Sequence, residues 1–263
     1  MHFSKEVLEK LRHERRLIEH KYHKLLFSYS TLPLANRRAR EFALHGVCRR
    51  LKLVVRCIEN VFSIVPPDRD GIPTVSEISD LTINIQAFLV NIFGCIDNLA
   101  WIWVQEKCLT KEDGSPLPNN WIGLGSKNKL VRESFSPSFQ TYLKSLDPWF
   151  EGMVDFRHAL AHRISFYIPP YTVTPSDEAA YKALQARMDE AVRAGNFAEY
   201  DRLEAEQLKL ARFTPWIQHS FEEEARPIEF YPQLIADFLT IEEIAWKILD
   251  ELKTLIPVDQ SSP

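Results

Sequence analysis

The chain has 263 residues, 45% of them hydrophobic, with 32 Lys and Arg against 36 Asp and Glu for a net charge of −4. That apolar content supports a sizeable core and excludes a wholly disordered chain. Eight glycines are too few for a fold built on tight turns, and Cys48, Cys57, Cys95 and Cys108 lack CxxC spacing, so they are expected to be buried, reduced thiols rather than a zinc ribbon or disulfide scaffold.

The elements are expected to be helices. Ser4 is placed to cap a first helix reaching about Phe27, with Val7, Leu11, Ile18, Tyr22, Leu25 and Leu26 at helical spacing. The N-terminus itself is polar, with no secretory signal, which points to a cytosolic protein. His20 and His23 on this helix have basic neighbours and read as a solvated face. A second helix spans about 36–63 and stops before Pro66-Pro67. Thr74-Val75-Ser76-Glu77 reads as a capping box for a third, long helix to about Glu106. Its stretch 87–104 is apolar enough to consider as a membrane span. Asn91, Asp97 and Asn98 interrupt it and no basic flank adjoins it, so a buried core helix in a soluble protein is expected.

A Gly-, Pro- and Asn-rich loop follows over 111–128, with the Trp121–Gly125 segment placed to fold back on the bundle. Asp147-Pro148 then opens a helix that must end before Pro169-Pro170, and a last helix runs over about 232–255. Strand signals are nearly absent, with 166–168 and 171–173 as weak candidates. The chain is predicted to be one all-α domain over 1–263, an up-down helical bundle. Residues 177–213 look inserted into it: Tyr181, Leu184, Met188 and Ala191 repeat on one arm, Gly195-Asn196 turns the chain, and Phe197, Tyr200, Leu203 and Leu210 continue on a second. This antiparallel hairpin suits oligomerisation, partner binding or decoration. The tryptophans (101, 103, 121, 149, 216 and 246) read as core or interface residues rather than a stacking platform.

Charge is unevenly spread. Residues 1–57 carry fourteen Lys and Arg and five Glu, a net +9, which leaves −13 on the remainder. Such a basic end suits a polyanion, nucleic acid first, unless the acidic half simply balances it.

The richest stretch is Asp155-Phe156-Arg157-His158-Ala159-Leu160-Ala161-His162-Arg163, in the helix opened by Asp147. On a helical wheel Phe150, Met153, Val154, Phe156, Leu160, Ala161 and Ile164 gather on one side, and Glu151, Asp155, His158 and His162 on the other. Arg157 falls within the apolar side, where an unpaired cation is costly, and Asp97 is the expected partner. Three readings stay open. Arg157 pairs structurally with Asp97, while Asp155 and Glu151 hold surface histidines. Alternatively His158 and His162, at i and i+4, bind a metal, although no second helix offers matching ligands. In the third, histidine carries a proton and arginine clamps a phosphate in RNA chemistry. Arg157 and His162 lie roughly 140° apart on a straight helix, so a shared site needs a bend, a cleft around the helix edge, or a symmetric dimer.

Arg157-His158-x-x-x-His162 resembles the Arg-polar-x3-His motif of the HEPN superfamily, helical domains that act on nucleic acids. The motif's place on a late helix before one closing helix is similar too. So is the long apolar helix carrying Asp97-Asn98. The likeness covers roughly 1–170 and 228–256 and leaves the hairpin outside. What it implies is a metal-independent endoribonuclease without cofactor, commonly a homodimer with both motifs facing one cleft, frequent in toxin–antitoxin and antiviral systems and so with a neutralising protein partner to expect. By that resemblance Arg157 stabilises charge on the scissile phosphate and His162 is the general acid or base. His158 orients substrate or His162, with Asp97, Asn98 and Asp155 in support. The RNA 2′-hydroxyl would be the nucleophile. Many relatives bind without cutting, so a non-catalytic nucleic-acid- or protein-binding module is the alternative.

Overall fold

A computed structural model describes residues 2–162, 165–218 and 227–255; for Asp155, His158, Ala159, Ala161 and His162 it describes the backbone alone. About 70% of the chain is helical. Helix α1 (Lys5–Ser30) begins where Ser4 Oγ accepts from the Val7 amide, and it buries Leu8, Leu11, Ile18, Tyr22, Leu25 and Tyr29 at three-four spacing. The Tyr29 hydroxyl donates to the Ala245 carbonyl at 2.7 Å, tying this helix to the last one.

The second expected helix is one continuous rod with a fault in it. Helix α2 (Arg37–Glu41) is capped by Asn36 Oδ1, passes into a π-helical turn over Phe42–Val47, and continues as α3 (Cys48–Ile64). A π turn inserts a residue and shifts the register of everything before it relative to everything after. Helix α4 (Val75–Glu106) opens with the expected box: Thr74 Oγ1 accepts from the Glu77 amide, and Glu77 Oε2 from that of Thr74. It is long and apolar enough to cross a membrane by length and composition, but 61% of its most apolar window is buried against other helices. Helices α1, α3, α4 and the C-terminal helix share one core.

The loop after α4 does fold back, burying Leu117, Ile122 and Leu124. Two short helices follow, α5 (Lys129–Glu133) and α6 (Pro137–Ser145), neither of them foreseen. The signal for α6 was present, since Ser136 caps it and Pro137 occupies its first turn. Helix α7 (Asp147–His162) starts where Asp147 was expected to start it, and Arg132 Nη2 holds Asp147 Oδ1 at 2.6 Å.

Strand β1 (Thr172–Val173) pairs antiparallel with β2 (Ala211–Arg212), which closes the root of the foreseen hairpin, α8 (Glu178–Arg193) and α9 (Phe197–Gln207). Gly195 sits at φ +68° in the turn, a conformation glycine adopts without steric cost. The hairpin's buried residues Met188, Ala191 and Leu203 stay outside the main core. A second pair, β3 (Trp216–Ile217) with β4 (Ile228–Glu229), leads into α10 (Phe230–Lys253). Of these two-residue strands only β1 carried a sequence signal; a pair of residues is too short to show alternation. One expectation about the thiols is corrected. Cys48, Cys57 and Cys95 are buried, but Cys108 is exposed, because α4 has ended and Cys108 turns the chain at φ +55°.

Candidate functional site

Helix α7 buries Phe150, Met153 and Phe156, with Leu160 packed on the core. Arg157 lies only about 20° around the axis from Phe150, two turns further on. Phe150 is 7% exposed, whereas the Arg157 side chain is 61% exposed. The same face of one helix therefore leaves the core between these positions and meets solvent. The wheel placed Arg157 inside the apolar side; the structure leaves its side chain largely exposed. Val154, assigned to that side, is also exposed, for it lies on the outer edge of the buried arc.

Beside α7 stands α4. Arg157 Nη1 is 3.9 Å from Asp97 Oδ2, so the expected partner is the observed one, at the long end of ion-pair range. Asn91, Gly94, Asp97, Asn98 and Trp101 repeat at three-four spacing and present one stripe of α4 to the site. Gly94 has a specific use: the Arg50 guanidinium lies where a β-carbon there would stand, and Arg50 Nη1 donates to Asn91 Oδ1 at 3.3 Å. Gly46 plays the same part for the carboxamide of Asn98, which lies 2.8 Å from the position of a β-carbon. Crowding raises the Asp97 pKa through desolvation, although Arg157 first and Arg50 second pull it down. The side chain is still 48% open to solvent, so the two arginines flank a reachable carboxyl.

Arg50 and Asn98 also border a groove of about 210 Å³ against the π-helical turn, lined further by Arg38, Phe42 and His45. The Phe42 ring stacks on Trp101 at 5.1 Å and 15°. The larger cavity of about 480 Å³ lies elsewhere, among residues 66–71, β1, β2 and Tyr231. It sits near the start of α4, roughly 30 Å along that helix from Asp97. Its Arg69 is paired with Glu77 at 2.5 Å.

Of the sequence-derived residues, Asp97 and Arg157 are brought together. Asn98 lies one residue round α4, toward the π-helical turn. The side chains of Asp155, His158 and His162 lie outside the described residues, and so does the metal alternative built on the two histidines. Glu151 is exposed. Among the described residues no three His, Cys, Asp or Glu gather as a metal site. The backbone of α7 is helical from Arg157 through His162, which keeps them about 140° apart and about 7.5 Å along the axis. Arg50, Asn91 and the two glycines were not anticipated. The charge excess of 37–56, seven cations against one acid, pointed at this segment but not at its seat on α4.

No family model matches the chain, and neither does any curated protein or solved structure.

Proposed function

We propose that this protein is a metal-independent endoribonuclease of the HEPN type, working as a homodimer in the cytoplasm. The observation that carries the reading is Arg157: a largely exposed guanidinium, only loosely paired with Asp97 at 3.9 Å. An exposed ion pair of that length contributes under about 1 kcal/mol to folding, so stability is a poor reason for the cation to be there. A phosphate oxygen can take the place of the carboxylate, and arginine offers it two parallel donors.

The chemistry follows from a fixed cation beside RNA. The 2′-oxygen attacks the adjacent phosphorus and gives up its proton, to His162 in this reading. The bond from phosphorus to the 5′-oxygen breaks, and that oxygen takes a proton from solvent, to which His162 returns the one it accepted. The products are a 2′,3′-cyclic phosphate and a 5′-hydroxyl. Arg157 stabilises the extra negative charge on the non-bridging oxygens, and Asp97 orients Arg157 from α4. Since one straight helix keeps Arg157 and His162 apart, the proposal unites the Arg157 of one protomer with the His162 of its partner across a two-fold axis. A toxin or defence role, with a neutralising partner, is the setting such an activity suits.

End-group analysis tests this. RNA cut in EDTA is expected to carry 2′,3′-cyclic phosphate ends, and an all-DNA strand of the same sequence is expected to stay intact. A 3′-hydroxyl product, or cutting that EDTA abolishes, contradicts it, and the latter favours a metal at His158 and His162. The second reading is a non-catalytic binding module. The Asp97–Arg157 pair favours it in one respect, because the carboxylate partly neutralises the cation. Binding of RNA or a partner with no scission is its expected outcome.

A further inference from the structure

The stretch from α2 to α3 carries Arg37, Arg38, Arg40, Arg49, Arg50, Lys52 and Arg56 against Glu41 alone. All but Arg50 are exposed. On α3, Arg49, Lys52 and Arg56 recur at three-four spacing opposite the buried Leu51, Val54, Val55 and Ile58, so they form a cationic stripe on the outer face. Arg38 and Arg56 have acidic neighbours, Glu41 at 2.6 Å and Glu59 at 3.1 Å; Arg49 and Lys52 have no ionic partner among the described residues. A stripe of this kind has the sign and spacing to suit a phosphate backbone.

At its head lies a flat ledge of three layers. The Arg38 guanidinium covers the Phe42 ring at 4.8 Å, Phe42 lies on Trp101 at 5.1 Å, and Glu41 pins Arg38 in place. The Arg38 side chain is 58% exposed, leaving its outer face open. Arginine planes and aromatic rings are the surfaces on which unpaired bases stack. Beside the ledge, the Asn98 carboxamide and the exposed His45 make no hydrogen bond among the described residues. Both line the groove. Its volume, about 210 Å³, lies below the roughly 300–1,000 Å³ of sites that enclose a drug-sized molecule. One base fits such a space if the rest of its strand runs over the surface. The π-helical turn supplies the register shift that aims Phe42 at Trp101 while Arg50 lies on Gly94.

We propose that this groove is a subsite for one unpaired base of single-stranded RNA, stacked on the Arg38–Phe42–Trp101 ledge, with the strand's phosphates crossing Arg49, Lys52 and Arg56. The assignment rests on the ribonuclease reading for its substrate class but requires no cleavage. Asn98 and His45 supply the polar groups that face the edge of the stacked base. Duplex RNA has no free base to offer the ledge and binds the stripe alone.

The test is fluorescence anisotropy of a labelled, mixed-sequence 2′-O-methyl oligonucleotide, which cannot be cut, with the full chain. Arg38→Ala and Phe42→Leu are each expected to weaken binding about tenfold, the effect of losing one stacking layer. Phe42→Leu keeps the apolar packing, so its thermal midpoint serves as the check on folding. Arg187→Ala, on the hairpin, is expected to bind as the wild type does. A 2-aminopurine base in the strand is expected to be quenched on binding and to regain fluorescence in Phe42→Leu. Unchanged binding and quenching in both ledge variants overturns the subsite, and so does a wild type that binds duplex as tightly as single strand or fails to bind either. None of these outcomes bears on strand scission, which end-group analysis of unmodified RNA decides separately.

Discussion

Replacing Asp237 with Asn is expected to stabilise the protein at neutral pH, and only there. Asp237 lies on α10 and is 1% exposed, with Oδ1 accepting from Trp149 Nε1 at 2.9 Å and Gln233 Nε2 at 2.7 Å. Burial pushes its carboxyl up from 3.8 to about 6, and the two hydrogen bonds only partly offset this. At about 1.36 kcal/mol for each tenfold change in proton affinity, ionised Asp237 opposes folding by about 3 kcal/mol at pH 7. The sign follows from proton uptake. The folded state binds the proton more tightly than the unfolded state, so stability falls as pH rises from about 4 to about 6. An asparagine keeps the accepting oxygen and loses the charge, while its new N–H₂ group costs about 1–3 kcal/mol if it stays unpaired. The net gain at pH 7 is therefore about 0–2 kcal/mol, or up to several degrees in Tm for a chain of this size. At pH 4, where Asp237 is protonated in the fold, the charge term is gone and the variant is expected to lose about 1–3 kcal/mol through its unpaired N–H₂ group. Thermal melts of both proteins at pH 4 and 7 check this. A difference in stability that does not change with pH refutes the reasoning. The residue matters to the site because its bond to Trp149 fixes the start of α7, the helix that carries Arg157.

Arg157→Ala is expected to leave stability within about 0.5 kcal/mol, since the exposed 3.9 Å pair with Asp97 contributes little; a chemical denaturation midpoint checks it. Gly94→Ala removes up to about 1 kcal/mol of helix-propensity cost but drives the Arg50 guanidinium off α4, so Tm is expected to hold or rise while RNA binding weakens. Equal binding in that variant argues against a role for the Arg50 position. Thr74→Ala breaks the capping box and is expected to cost about 1 kcal/mol in a melt. Glu77 is held down to about 2 by Arg69 first and the Thr74 amide second, so its contribution is present above about pH 4.5 and lost as pH falls toward 2.

The sequence made the scaffold legible wherever a local signal coincided with a long apolar period. The Thr74–Glu77 box, the Asp147-Pro148 start and the Gly195-Asn196 turn each mark an element boundary now seen in the fold. The π-helical turn had no such mark, because Phe42–Val47 is as helical in composition as its neighbours and only tertiary packing against α4 selects the wider turn. The site was half legible. Arg157 and Asp97 could be paired from burial cost alone, since each interrupted an apolar helix. The exposure of Arg157 was not readable from the wheel, which gives angle but not where the rest of the bundle ends. Arg50, Gly46 and Gly94 were hidden for a related reason: a glycine that makes room for a side chain 44 or 52 residues away leaves no local pattern.

The central claim is that Arg157 serves RNA chemistry and not folding, and the initial rate of RNA cleavage in EDTA by wild type and Arg157→Ala tests it most directly. Metal-independent cutting by the wild type is expected, with a loss of at least a hundredfold in the variant, of the order seen when a fixed charge-stabilising donor is removed, and an unchanged Tm. Equal rates in the two proteins, or no cutting by the wild type across diverse single-stranded RNAs, would contradict it.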